Sequence, residues 1–360
     1  MAKMLVDKER VAQVRGVLLE WYSRHRRDLP WRQTRDPYAI WVSEIMLQQT
    51  RVAVVVDRYR EFMCRFPTVF ALASAPEQEV LALWSGLGYY RRARMLHKAA
   101  HAVVAAGKGK MPGTAAELRS LPGVGTYTAA AVASIAYNEP VAVVDGNVER
   151  VLCRVAGWDA NGEHGRYMDE FAARLVDPDR PGDFNQAMME LGAMVCLPRS
   201  PQCLVCPLAE FCKTRGEHKT APRARSVNRE VGYALCLRPR QNGASADPDG
   251  AEVLLEQRPQ TVSVMPGLWE LPSLLEVPNG DTRMTVRHAI MNVNYIVRVR
   301  DVQETELAAL AAKGGQRRWV RLDDARGLAL TGLTRKVLSR VNSTPSGPPQ
   351  IECQPNAADG

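Results

Sequence analysis

Four cysteines stand close together late in the chain: Cys196, Cys203, Cys206 and Cys212, with six, two and five residues between successive members. Soft thiolates gathered over so short a stretch favour zinc or an iron–sulfur cluster, and ligand softness alone does not separate the two. Zinc sites usually arrange their cysteines as two separated short pairs, whereas this spacing is uneven. Cys64, Cys153, Cys236 and Cys353 lie outside the loop. Two carboxylates are the next candidates. Glu44 sits inside the apolar helical run Ile40–Leu47, between Trp41, Ile45 and Leu47. It is either an exposed position on an amphipathic face or a group that is neutralised, paired or functional, and the pattern does not choose between them. Asp145 follows the apolar run Val141–Val144 and precedes Gly146 and Asn147, so it is expected to cap a helix over Val148–Val155.

The element that must position them is Leu121–Val151, LPGVGTYTAAAVASIAYNEPVAVVDGNVERV. Pro122, Gly123 and Gly125 break the preceding helical pattern, and a small-residue helix starts near Thr126 and ends near Asn138 and Pro140. A Gly-rich turn opening a helix leaves N–H groups free for an anion such as a phosphate, although an ordinary tight helix–turn–helix has the same residues. Ala129, Ala130, Ala131, Ala133 and Ala136 are small enough to let another helix come close. Helical spacing also predicts helices over 7–26, Val52–Phe66, Glu77–Trp84, Arg91–Ala106, Ala115–Leu121, His164–Val176 and Phe184–Val195. Between them GLGYYRRAR, residues 86–94, puts aromatic rings beside cations. Such a stretch can wedge between bases, but it also reads as a glycine-terminated helix with core tyrosines.

Composition changes after the cysteines. A basic linker, 216–229, leads to short alternating runs, VGYALCLR, AEVLLEQRP, VNYIVRVRD and RRWVRL, which are strand-like. They surround a predicted helix at Thr305–Ala312 and a final one near Leu333–Val341, and the tail 342–360 has a disordered composition. The expected division is therefore 1–215, helical; 216–229, linker; 230–341, mixed α and β; 342–360, tail. The 360 residues carry a formal net charge of +8, which suits a polyanionic partner or merely a solvated basic surface. With no apolar leader and no membrane-length run, the expectation is a cytoplasmic, nucleoid-associated protein with thiols rather than disulfides.

LPGVG, the alanine helix and the isolated aspartate together resemble the helix-hairpin-helix superfamily of DNA base-excision glycosylases. The hairpin corresponds to 119–138, with Gly123, Val124 and Gly125 against a DNA phosphate. Endonuclease III-like bifunctional members carry a lysine nucleophile two residues after the turn. Tyr127 stands there instead, which resembles the adenine-DNA glycosylase (MutY) branch. The cysteine loop, 196–212, resembles the 4Fe–4S loop of those relatives, implying one cluster. MPGLWELP at 265–272 resembles the Nudix-related domain that MutY proteins carry after the catalytic domain, although the glutamate-rich pyrophosphatase helix is absent. Only fourteen residues separate Pro272 from Arg287, so a helix usual in that domain is expected to be missing. Many relatives have a Phe-Ser-His turn that recognises the oxidised guanine; here Met291 and Asn292 stand near that point, and Met291 lacks the hydroxyl.

The resemblance implies a monofunctional glycosylase that acts as a monomer on duplex DNA. It would flip out adenine mispaired with 8-oxoguanine or guanine and hydrolyse its bond to deoxyribose. Glu44 would be held protonated and donate to adenine, Asp145 would stabilise the sugar cation beside Asn147, and Tyr127 would orient them. Trp31, Arg32 and Gln186 would line the adenine pocket, while Leu47, Gln49, Thr50 and Tyr89 would fill or wedge the opened stack. The alternatives are a bifunctional endonuclease III-type lyase and, from another class, a non-catalytic iron–sulfur DNA-binding protein.

Overall fold

The structure, a computed structural model, describes residues 7–107, 109–159, 164–217, 226–239, 251–278, 280, 282–290, 293–310, 315–325 and 327–341. Met291, Asn292, most of the basic linker and the tail from Asn342 lie outside the described residues. Within the described residues no helix is long and apolar enough to cross a membrane. The chain folds as two compact units, one of Met1–Ala73 with Lys98–Pro222 and one of Ser74–His97 with Arg223–Gly360.

The first unit is helical, as its periodicity predicts. It contains helices Lys8–His25, Pro37–Leu47, Val52–Arg65, Ala115–Leu118, Thr126–Tyr137, Gly146–Ala156, Gly165–Leu175 and Pro181–Met194. The helix starts follow local chemistry. Asp7 and Asp36 accept hydrogen bonds from first-turn N–H groups, Pro37 and Pro181 occupy opening positions, and Thr114 with Glu117 forms a capping box. Pro37–Leu47 runs through the middle and buries all but its ends; Ile40, Trp41 and Met46 are at most 1% exposed. At roughly 2 kcal/mol for each large apolar side chain, such burial holds the helix in place. Thr126–Tyr137 packs along it, and its Ala129, Ala130, Ala131 and Ala133 are buried; methyl side chains let helix backbones approach. The same helix meets Pro181–Met194 at Gly182, where an added Cβ would lie 2.7 Å from the Ser134 carbonyl oxygen.

The second unit is mixed α and β. Among the described residues seven strands form two sheets: β1 Val227–Leu235, β2 Leu237–Arg238, β3 Glu252–Gln257, β4 Trp269–Glu270, β5 Met284–Ile290, β6 Val293–Asp301 and β7 Arg317–Arg321. One sheet has the order β1-β6-β5, with β1 parallel to β6; in the other, β3 pairs antiparallel with β2, β4 and β7. Val286, Val297 and Val299 of the first sheet and Val253, Leu255 and Trp269 of the second share one core with Val337 and Leu338 of helix Gly332–Val341. Sequence reasoning missed β5, since apolar and polar residues do not alternate cleanly in MTVRHAI; in the fold Val286 is buried, whereas Thr285, Arg287 and Ala289 are exposed. In place of the helix predicted at Thr305–Ala312 there is a 3-10 turn over Glu304–Ala309, and 311–314 lie outside the described residues. Among the described residues between Pro272 and β5 there is no helix, in line with the short spacing there.

Candidate active site

A cavity of about 530 Å³ opens in the helical unit, a size suited to a purine base with its sugar. The loop before Pro37–Leu47 contributes Trp31 and Arg32, and that helix and the turn after it contribute Glu44, Leu47, Gln49 and Thr50. Tyr127 comes from the hairpin's second helix, Asp145 and Asn147 from the start of Gly146–Ala156, and Gln186 from Pro181–Met194. Ten residues singled out from sequence, spread over more than 150 positions, thus line one space.

Glu44 is 4% exposed, which decides between the two readings its pattern left open. Burial pushes its carboxyl up to about 7 and the nearby Asp145 charge adds to the rise, against the opposing Tyr127 hydrogen bond and Arg32 charge. The Tyr127 hydroxyl donates to Glu44 Oε2 at 2.8 Å, with the Met189 sulfur 3.3 Å from the same hydroxyl. Asp145 caps Gly146–Ala156 as expected. Its Oδ1 accepts from the N–H groups of Asn147 (2.9 Å) and Val148 (2.7 Å), and its Oδ2 accepts from Asn147 Nδ2 (3.0 Å). The cavity therefore holds one carboxyl poised to keep a proton near neutrality and another saturated with donors at a helix N-terminus.

Several members escaped the sequence reading because their partners are remote in the chain. Glu190, 1% exposed, accepts from the Arg27 backbone and from both the Arg27 and Arg32 guanidinium groups at 2.6–3.0 Å. Burial alone would raise its carboxyl, but these donors take it down to about 2. Arg32 is thereby anchored at the cavity wall. Asn185, 2% exposed, bonds Val141 O, Val143 N and Ser134 Oγ, holding the extended segment that delivers Asp145. Arg150 donates to Asn147 Oδ1, Gly192 O and the Cys196 carbonyl, each at 2.8 Å. The polar helix interior FNQAMMELGAM, residues 184–194, is the visible signal for Asn185 and Glu190: Asn and Glu among methionines and alanines need partners.

Gly192 allows the Asn147 backbone to lie against the Pro181–Met194 helix; a Cβ there would stand 2.7 Å from Asn147 Cβ and 3.0 Å from its carbonyl oxygen. Gly192→Ala should therefore push Asn147 away from Asp145. The expected result is a loss of about 1–3 kcal/mol in urea unfolding together with slower turnover. Wild-type values for both would mean that the helices simply part.

The hairpin turn is formed as predicted. Gly123 has φ 76°, a conformation that favours glycine, and Gly123 and Gly125 are exposed. Val124 is 8% exposed and its N–H donates to the Leu121 carbonyl, so both its side chain and its N–H are taken up within the turn. The N–H groups that follow, at the start of Thr126–Tyr137, have no acceptor within their own helix. Gln49, exposed with φ 54°, projects at the end of Pro37–Leu47. Tyr89, also at positive φ, belongs to the second unit.

All four cysteines line one small hollow, with Arg154 and Arg215 on its wall. Arg154, 2% exposed, places Nη1 3.3 Å from Cys196 Sγ, and its Nε is buried without a hydrogen-bond partner. A buried cation beside four thiols suits a thiolate-bound cluster carrying net negative charge.

Residues 42–178 match the HhH-GPD superfamily of base excision DNA repair proteins, and residues 196–212 match the iron–sulfur binding domain of endonuclease III. The chain is 42% identical over 325 residues to the human adenine DNA glycosylase, covering 76% of this chain and 59% of that one. The Arabidopsis thaliana adenine DNA glycosylase is 38% identical, covering 79% and 51%. The chain belongs to the adenine DNA glycosylase family. It spans between half and two-thirds of the length of these curated relatives. A solved thermostable thymine-DNA glycosylase, 30% identical, superimposes with a TM-score of 0.53 over 57% of this chain and 97% of its own. A structure of a non-covalent endonuclease III–DNA complex, at 23% identity and TM-score 0.51, shares the helical fold.

The match over residues 196–212 makes the cysteine loop an iron–sulfur loop, in line with its uneven spacing. The purified protein should be brown with broad visible absorption and about four irons per chain. Cys203→Ser should lower folding yield and iron content together. Stoichiometric zinc with no iron after anaerobic purification would reject the cluster.

Proposed function

We propose that this protein is a monofunctional adenine DNA glycosylase, which removes adenine mispaired with 8-oxoguanine or guanine from duplex DNA. The observation that carries the reading is the pair of unlike carboxyls in one cavity: buried Glu44 beside Tyr127, and Asp145 held by Asn147 and a helix N-terminus. Adenine leaves poorly as an anion, so a proton must reach its ring as the bond to the sugar breaks. Tyr127 occupies Glu44 Oε2, leaving Oε1 to carry and deliver that proton. Asp145 then stabilises the sugar cation, and its three donors keep it from collapsing onto other partners. Trp31, Arg32 and Gln186 receive the flipped base, with Arg32 oriented by Glu190. Leu47, Gln49, Thr50 and Tyr89 fill the vacated stack, and the turn at Gly123, Val124 and Gly125 grips a phosphate.

Residues 1–215 form the glycosylase domain in this reading, 216–229 a linker, and 230–341 a Nudix-like domain that inspects the opposite base through Met291 and Asn292. The four-cysteine loop would hold its cluster through Cys196, Cys203, Cys206 and Cys212, as structure and DNA contact rather than hydrolytic chemistry. The protein would act as a monomer in the cytoplasm, at the nucleoid. The test is adenine release from duplexes bearing 8-oxoguanine:A, G:A and T:A, followed by borohydride trapping on abasic DNA. Release from the first two without trapping is expected. Efficient trapping would point to a lyase, and binding without release to a DNA-binding protein.

A further inference from the structure

Tyr89 is a bulky residue at φ 47°, and it is 48% exposed. A tyrosine persists in that backbone region only where its surroundings hold it. Arg92 supplies the local grip. Its Nη2 donates to the Leu87 and Gly88 carbonyls at 3.0 and 3.2 Å, and its guanidinium lies 5.5 Å from the centres of both the Trp84 and Tyr89 rings. Trp84 Nε1 adds a bond to the Gly88 carbonyl at 3.1 Å.

This loop is tied in turn to chain far along the sequence. Tyr90, 4% exposed, donates its hydroxyl to the Leu330 carbonyl at 2.8 Å, beside Ser85 Oγ. Arg94 Nη2 donates to the Pro266 carbonyl at 2.5 Å while its Nε pairs with Glu77. Leu330 bridges to Trp269 of β4, and Pro266 begins the turn that leads into β4. Both anchor points thus converge on one strand of the C-terminal sheet. Helical periodicity alone would have given residues 74–97 to the helical domain, yet they are compact with 223–360.

We propose that Tyr90 and Arg94 are positioning residues through which the C-terminal sheet holds the Tyr89 wedge. This rests on the adenine glycosylase reading and deepens it: the wedge and the domain that reads the opposite base respond as one body. Loosening either anchor lets Tyr89 leave its strained conformation, and opening of the stack at the mispair becomes less favourable.

The test is a double-mutant cycle in the full chain, read by single-turnover adenine release from an 8-oxoguanine:A duplex. Tyr90→Phe retains the ring in the core, and Arg94→Met retains the apolar stem, so both should fold; melting curves check this. Each is expected to slow release about five- to tenfold, the scale of one lost buried hydrogen bond. In a Tyr89→Ala background each should change the rate less than twofold, because the residue they hold is gone. Arg94→Lys, which still donates, should recover most of the wild-type rate. Equal slowing with and without Tyr89 would overturn the proposal in favour of a general structural role. Wild-type rates for both single variants, or for Tyr89→Ala itself, would also overturn it. A wild-type protein that binds the duplex but releases no adenine would instead remove the glycosylase reading, and this inference with it.

Discussion

Asp145→Asn should lower the single-turnover rate of adenine release by about a thousandfold or more while duplex affinity stays within a few-fold. The size follows from what the carboxylate faces. A developing sugar cation is stabilised far more by a fixed charge than by an amide dipole, a difference on the order of 4 kcal/mol. The substitution is otherwise gentle. Asparagine caps helices about as well as aspartate, so an amide oxygen can go on accepting from the Asn147 and Val148 N–H groups. One contact does suffer: an amide nitrogen in place of Oδ2 would face Asn147 Nδ2, donor against donor, and Asn147 would have to turn its side chain. Melting temperature should accordingly move by only a few degrees. Activity within a few-fold of wild type would remove Asp145 from the mechanism. Lost activity accompanied by a large drop in melting temperature would make its role a structural one.

Glu44→Gln should produce two effects of opposite sign. Release of adenine should fall about a hundredfold to ten-thousandfold, the usual contribution of a general acid, and should lose its pH dependence. In the wild type the rate should be level below pH 7 and fall about tenfold per pH unit above it, because the folded carboxyl gives up its proton near pH 7. Stability should move the other way. The folded-state value is raised from 4.5, so the native protein keeps a proton that the unfolded chain has released. Unfolding free energy therefore declines as pH rises between about 4.5 and 7, and above 7 the native state bears a buried charge costing about 3 kcal/mol. Glutamine has no charge to bury. Glu44→Gln should be more stable than wild type at pH 8, by up to about 3 kcal/mol, and no more stable near pH 4.5. Denaturant unfolding at both pH values checks the sign, and equal stabilities at pH 8 would mean that Glu44 is solvated enough to ionise freely.

Features that depend on neighbours a few residues away are legible in the sequence. The cysteine spacing, the LPGVG turn, the cap at Asp145 before Gly146 and Asn147, and most helices of the first unit are of this kind. Turn chemistry, capping and helical period are short-range, so the residues that cause them are adjacent in the text. Features that depend on burial and on partners far along the chain emerge only in the folded molecule. Ile40–Leu47 read equally well with Glu44 in water or in the core, and only the packing of Thr126–Tyr137 against that helix, with the Tyr127 hydroxyl on the carboxyl, makes it a buried acid. Glu190 gains its meaning from Arg27 and Arg32, some 160 residues earlier, and Asn185 from a segment more than 40 residues away. The parallel pairing of β1 with β6 and the attachment of residues 74–97 to the C-terminal sheet were likewise invisible, since alternation announces a strand but not its partner. A polar side chain acquires an unusual proton affinity or a single orientation only when long-range packing removes water from it. Local sequence carries the candidates, and the three-dimensional enclosure selects among them.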